Sequence, residues 1–70
     1  MQPTRVEQVA LKDLQRRVSQ LGGRLVPEKS NARRHVYWSE KYEVWLMVSV
    51  KNGIATIGYY QMERCPCEDQ

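Results

Sequence analysis

The sequence predicts an α+β domain in which one N-terminal amphipathic helix packs on a three-stranded antiparallel β-meander, strand order 1-2-3. Three observations carry this. Apolar residues recur every three or four positions from Val6 to Leu21, the period of a helix face. The stretch EVWLMVSV, residues 43–50, alternates in polarity and is rich in β-branched and aromatic side chains. Asn52-Gly53 follows it, and that dipeptide is the strongest short signal for a type I′ hairpin.

The helix is expected over residues 5–21. Thr4 and Glu7 fit a capping box, in which each side chain satisfies the other's backbone amide. Val6, Val9, Ala10, Leu14, Val18 and Leu21 form the apolar stripe, and Leu11 widens it. Gly22-Gly23 supplies the left-handed stop. At 100° per residue, Arg5, Lys12 and Arg16 share one narrow sector, either a ridge that meets phosphates or carboxylates or a solvated helix back. Asp13 and Arg17 are four apart, a spacing that stabilises a helix by about 0.2–0.5 kcal/mol. Residues 22–34 are punctuated by Gly, Pro, Ser and Asn and read as a loop, with a short strand over residues 24–26 ended by Pro27.

Three strands follow. The two-residue turn fixes the register of the last two: Lys51 opposite Ile54, Val50 opposite Ala55, Ser49 opposite Thr56, Val48 opposite Ile57, Met47 opposite Gly58, Leu46 opposite Tyr59 and Trp45 opposite Tyr60. One face then holds Val44, Leu46, Val48, Val50, Ala55, Ile57 and Tyr59 and packs on the helix. The other holds Trp45, Met47, Ser49, Ile54, Thr56, Gly58, Tyr60 and Met62, with Trp45 and Met47 over the bare backbone of Gly58. The first strand, residues 34–39, depends on the length of its connection. A three-residue loop, Glu40 to Tyr42, sends Val36 and Trp38 inward; a two- or four-residue loop sends His35 and Tyr37 inward instead. The three-residue loop is preferred because Val36 and Trp38 have less polar surface to desolvate.

Seventy residues form one small domain, with residues 64–70 expected as a flexible tail. Hydrophobic and charged fractions of 41% and 27% fit a globular chain rather than a disordered one. No apolar run reaches the roughly 20 residues of a membrane helix, and no secretion signal is seen, so a cytoplasmic, membrane-free protein is expected. The net charge of +3 is uneven: residues 1–41 carry nine Lys or Arg against four Asp or Glu. A basic half favours an acidic or phosphate-bearing partner. Cys65 and Cys67 lie too close together to bridge readily and lack the paired spacing and third ligand of a zinc site, so two reduced thiols on the tail are expected, with no metal and no cofactor.

The unusual feature is an outer sheet face that is not polar. Tyr37, Trp45, Met47, Tyr60 and Met62, with Arg33, Arg34 and His35 at the rim, make a patch of the composition found at interfaces. The expected function is therefore a small non-enzymatic binding or regulatory protein. It would dock on a partner protein, or on a second copy as a two-fold homodimer, and act as an inhibitor or adaptor. In a homodimer, Arg5, Lys12 and Arg16 become the outside contact. The alternative is a nucleic-acid-binding module that stacks bases on the rings and pairs phosphates with Arg33, Arg34 and Lys51. A third class is a ribonuclease using His35 beside Arg33 and Arg34. The passage LGGRLVPEKSNARRHVYW, a quarter of the chain, resembles the helix-to-strand passage of HicA-type mRNA interferase toxins. That resemblance implies a helix–three-strand–helix fold with His35 in the place of the family's first-strand histidine. The family's Gly-Ser before the histidine is absent, as is room for its final helix.

Overall fold

A computed structural model describes residues 2–61. Met62, Cys65, Cys67 and the tail expected over residues 64–70 lie outside the described residues. The chain runs β1 (Arg5–Ala10), a 3-10 turn (Leu11–Asp13), α1 (Leu14–Gln20), β2 (Gly23–Leu25), a second 3-10 turn (Pro27–Lys29), β3 (His35–Ser39), β4 (Val44–Lys51) and β5 (Ile54–Tyr60). The five strands form one antiparallel sheet in the order β1-β5-β4-β3-β2. This corrects the expected three-stranded meander with a long helix.

The first correction is β1. Arg5–Ala10 pairs with β5 along its whole length, from Arg5 opposite Tyr59 to Ala10 opposite Ile54. Leu11 continues the ladder by donating its amide to Gly53 O at 2.8 Å. As the first half of a helix, this segment would have left β5 as a long unpaired edge, and a tertiary partner outweighs weak local propensity. The capping box is replaced accordingly. Thr4 donates both its amide and its hydroxyl to Tyr59 O, at 2.7 and 3.1 Å. The helix keeps only the C-terminal part of its predicted stripe: Leu14, Val18 and Leu21 are buried, while Val6 is 55% exposed on the other side of the sheet. Asp13 pairs with Arg16 at 2.7 Å, not with Arg17.

The helix stops as expected. Gly22 has φ +69 and donates to Ser19 O at 3.0 Å. Gly23 opens β2 and brings the helix close, since a Cβ there would lie 2.9 Å from Val18 Cγ1. Strand β2 pairs with β3, placing Arg24 opposite Trp38 and Leu25 opposite Tyr37.

All seven expected β4–β5 pairs are present, from Lys51 opposite Ile54 to Trp45 opposite Tyr60. Asn52 (φ 54) and Gly53 (φ 76) both have positive φ, as a type I′ turn requires. The β3–β4 connection is the second correction. It has four residues, Glu40 to Glu43, closed by Glu43 in the left-handed region (φ 54), so Ser39 lies opposite Val44. Tyr37 therefore faces inward and Trp38 outward, the reverse of the preferred register. Ser39 anchors this arrangement. Its buried hydroxyl donates to Leu21 O at 2.6 Å and accepts from Tyr42 N at 3.2 Å, tying the helix end to the loop. Fully buried Val36 is fixed by the loop before it: its amide donates to Ser30 Oγ at 3.0 Å, and its carbonyl accepts from Val26 N at 2.9 Å.

The core lies between α1 and one sheet face. Leu14, Val18 and Leu21 pack against Tyr37, Leu46, Val48, Ala55, Ile57 and Tyr59, with Val9 and Val44 at the margin. Among the described residues α1 is the only α-helix, and it packs on that face. No helix among the described residues is long and apolar enough to cross a membrane.

Candidate binding face

The register places the outer-face residues in rows across the sheet. Arg24, Trp38, Trp45 and Tyr60 are successive cross-strand neighbours on β2, β3, β4 and β5. Adjacent strands are about 4.8 Å apart, so three rings and a guanidinium occupy one line. Trp38 and Trp45 touch, with ring centroids 4.9 Å apart and planes tilted by 55°. All three rings are partly buried and retain accessible surface. The next row is Val36, Met47, Gly58 and Val6.

Gly58 shapes the centre of this face. Its missing side chain leaves room for the Tyr60 ring, because a Cβ there would lie 3.1 Å from Tyr60 Cε1 and 3.7 Å from Pro3 Cβ. Thus Tyr60, rather than Trp45, leans on the bare backbone. Beside it lies a hollow of about 230 Å³ lined by Pro3, Val6, Arg34, Met47, Gly58 and Tyr60, with Ser49 and Thr56 at its polar end. Arg34 Nε and Trp45 Nε1 are buried donors with no acceptor among the described residues.

The expected site residues are only partly brought together. Trp45, Met47, Tyr60 and Arg34 share the outer side. Tyr37 is in the core and leaves the site; Trp38 replaces it. His35 and Arg33 line a separate hollow with Val48 and Val50, on the side of the sheet that bears the helix. Arg34 points to the other side, so the three residues do not form one cluster. The helix–three-strand–helix plan implied by the toxin resemblance is not the plan of this sheet. Nor do Arg5, Lys12 and Arg16 make a helix ridge. Arg5 sits on β1 with its guanidinium 5.4 Å from the Tyr59 ring centre, Lys12 is in the 3-10 turn, and Arg16 is held by Asp13. Met62 lies outside the described residues. Arg24, Trp38, Pro3 and Val6 were missed. The four-residue loop, weighed as one of two alternatives, was the signal that would have brought Trp38 out.

A second polar cluster lies on the helix side. Arg17 donates Nε and Nη2 to the Glu7 carboxylate at 2.7 and 2.9 Å, and the Tyr59 hydroxyl donates to Glu7 Oε1 at 2.6 Å. The Arg17 fork holds the Glu7 carboxyl below its ordinary range against the opposing effect of burial. Burial and the bond to Glu7 push the Tyr59 hydroxyl up. Every member has its partner inside the cluster, which ties α1 to β1 and β5. Among the described residues, no group of three or more His, Cys, Asp or Glu is placed to hold a metal ion.

The chain matches no protein-family model, no curated protein and no solved structure.

Proposed function

We propose that this chain is a small, non-enzymatic binding module that acts by docking its outer sheet face on a partner, as an inhibitor or adaptor. The observation that carries this is the row Arg24–Trp38–Trp45–Tyr60, laid across four strands on the face the helix leaves open. Partly accessible rings beside an arginine are the side chains that concentrate binding energy at interfaces. The hollow floored by Met47 and Gly58 gives the face relief.

A second reading narrows the partner to a protein surface, including another copy of this chain. Val6 and Ile54, 55% and 42% exposed on the same side, favour it, because apolar edges gain from burial against protein. Both readings place the contact on one face, and one experiment tests that placement. The wild-type chain, a Trp45→Ala/Tyr60→Ala variant and a Lys12→Ala/Arg16→Ala variant are each compared for self-association by sedimentation. Each is also titrated with a random peptide library and a random single-stranded oligonucleotide pool. Loss of the observed interactions in the first variant alone is the expected result. Loss confined to the Lys12/Arg16 variant would move the site to the helix side.

A further inference from the structure

We infer that the outer sheet face is a site for single-stranded nucleic acid, with Trp38, Trp45 and Tyr60 as the base-stacking row and Arg24, Arg34 and Lys51 as the phosphate contacts. This rests on the first docking reading above and names its partner, in place of the protein surface of the second.

Charge is the first ground. The outer-face sheet positions include Arg24 and Lys51, Arg34 leans in over the hollow, and no outer-face sheet position carries a carboxylate. The described carboxylates are placed elsewhere: Glu7 on the helix side, Asp13 before α1, Glu28 in a 3-10 turn, Glu40 and Glu43 in the β3–β4 loop. Residues 2–61 hold ten Lys or Arg against five Asp or Glu, so the described part is more basic than the whole chain. An acid-free cationic rim around rings complements a polyanion that also presents flat faces.

Geometry is the second ground. Rings on three adjacent strands offer successive stacking positions, and stacking tolerates any base because every base has a π-face. The hollow beside Tyr60 exists because residue 58 has no side chain, and it leads from the ring row towards Arg34. Arg34 lines that hollow, which sets its guanidinium beside the ring row as a forked donor of the kind that pairs with phosphate oxygens. Lys51 lies three outer-face positions beyond Trp45 on β4, about 20 Å along the strand, so the cations bracket the rings over several nucleotides.

The test is fluorescence anisotropy with labelled oligo-dT and oligo-U of about twelve nucleotides, at about 50 and about 200 mM salt. Deca-glutamate and self-association by sedimentation serve as parallel arms. With three phosphate contacts on a single strand, affinity is expected to fall roughly 20-fold between the two salts. Trp45→Leu is expected to weaken binding about five- to a hundredfold. Arg24→Glu and Lys51→Glu alter exposed side chains, leave the fold intact by circular dichroism, and each weaken binding and flatten the salt dependence. The ratio of oligo-U to oligo-dT affinity assigns RNA or DNA. Oligonucleotide binding that ignores salt, or that survives all three substitutions, overturns the proposal. If neither oligonucleotide binds at low salt while deca-glutamate or a second copy occupies the face, the nucleic-acid assignment falls and the docking reading stands. If nothing binds the face, both fall.

Discussion

Tyr37→Ala is expected to lower the unfolding free energy by about 3–5 kcal/mol, the range for removing a buried ring, and Trp38→Ala by well under half of that. The two residues are neighbours, both aromatic, and a one-residue slip of β3 exchanges them. Tyr37 lies in the core in a row with Leu25, Leu46 and Tyr59, with α1 above the sheet. Trp38 is only partly buried, on the outer face, where its ring meets Trp45. A domain of this length has a total stability of roughly 4–10 kcal/mol, so the Tyr37 variant is close to unfolding and Tyr37→Leu is the milder companion. Urea denaturation of the variants gives the ranking. If Trp38→Ala is the more damaging, Trp38 lies under the helix and β3 is shifted by one residue from the pairing above.

Glu7→Gln is expected to cost about 2–3 kcal/mol. The neutral amide accepts less strongly, and the partly buried Arg17 and Tyr59 lose their shared carboxylate. The same cluster sets the pH limits of stability. Glu7 titrates below its ordinary 4.5 in the folded chain, chiefly through the Arg17 bond. Its contribution is therefore complete above the unfolded value and is lost as pH falls through the lowered folded value. Tyr59 titrates above its ordinary 10.0, through burial and the bond to Glu7. Its contribution is complete below that value and is lost as pH rises through the raised one. Thermal unfolding across pH is expected to show both limbs in the wild type and a flattened acid limb in Glu7→Gln. An unchanged acid limb would mean that the Glu7–Arg17 pair does not hold the helix to the sheet.

What could be read from the residues in order follows from which interactions are local. The β4–β5 hairpin was legible pair by pair because Asn52-Gly53 determines its own backbone and the register follows. The end of α1 was legible for the same reason, with Gly22 as the stop and Leu14, Val18 and Leu21 as the stripe. Strand β1 was not. Val6, Val9 and Ala10 fit a helical period, and only pairing with β5, at the far end of the sequence, makes that segment a strand. The face of β3 was not legible either. Ranking side chains by apolarity favoured Val36 and Trp38 for the core, whereas loop length decides, and the loop closes on a non-glycine residue at positive φ, Glu43. The preferred register put Trp38 in the core and Tyr37 on the outer face, the reverse of what the β3–β4 pairing shows. Arg24 joined the row only once β2 was seen to pair with β3.

The most direct measurement of the outer face as the contact surface is a two-dimensional ¹⁵N NMR titration of the full chain with oligo-U. The two indole Nε1–H signals, from Trp38 and Trp45, report on the ring row, and the amides of Leu14 to Gln20 report on the helix. Both indole signals and the amides of Arg24, Met47, Gly58 and Tyr60 are expected to move together while the helix amides stay in place. Stationary indole signals with shifts gathered on Lys12, Arg16 and the helix would contradict the outer face as the contact surface.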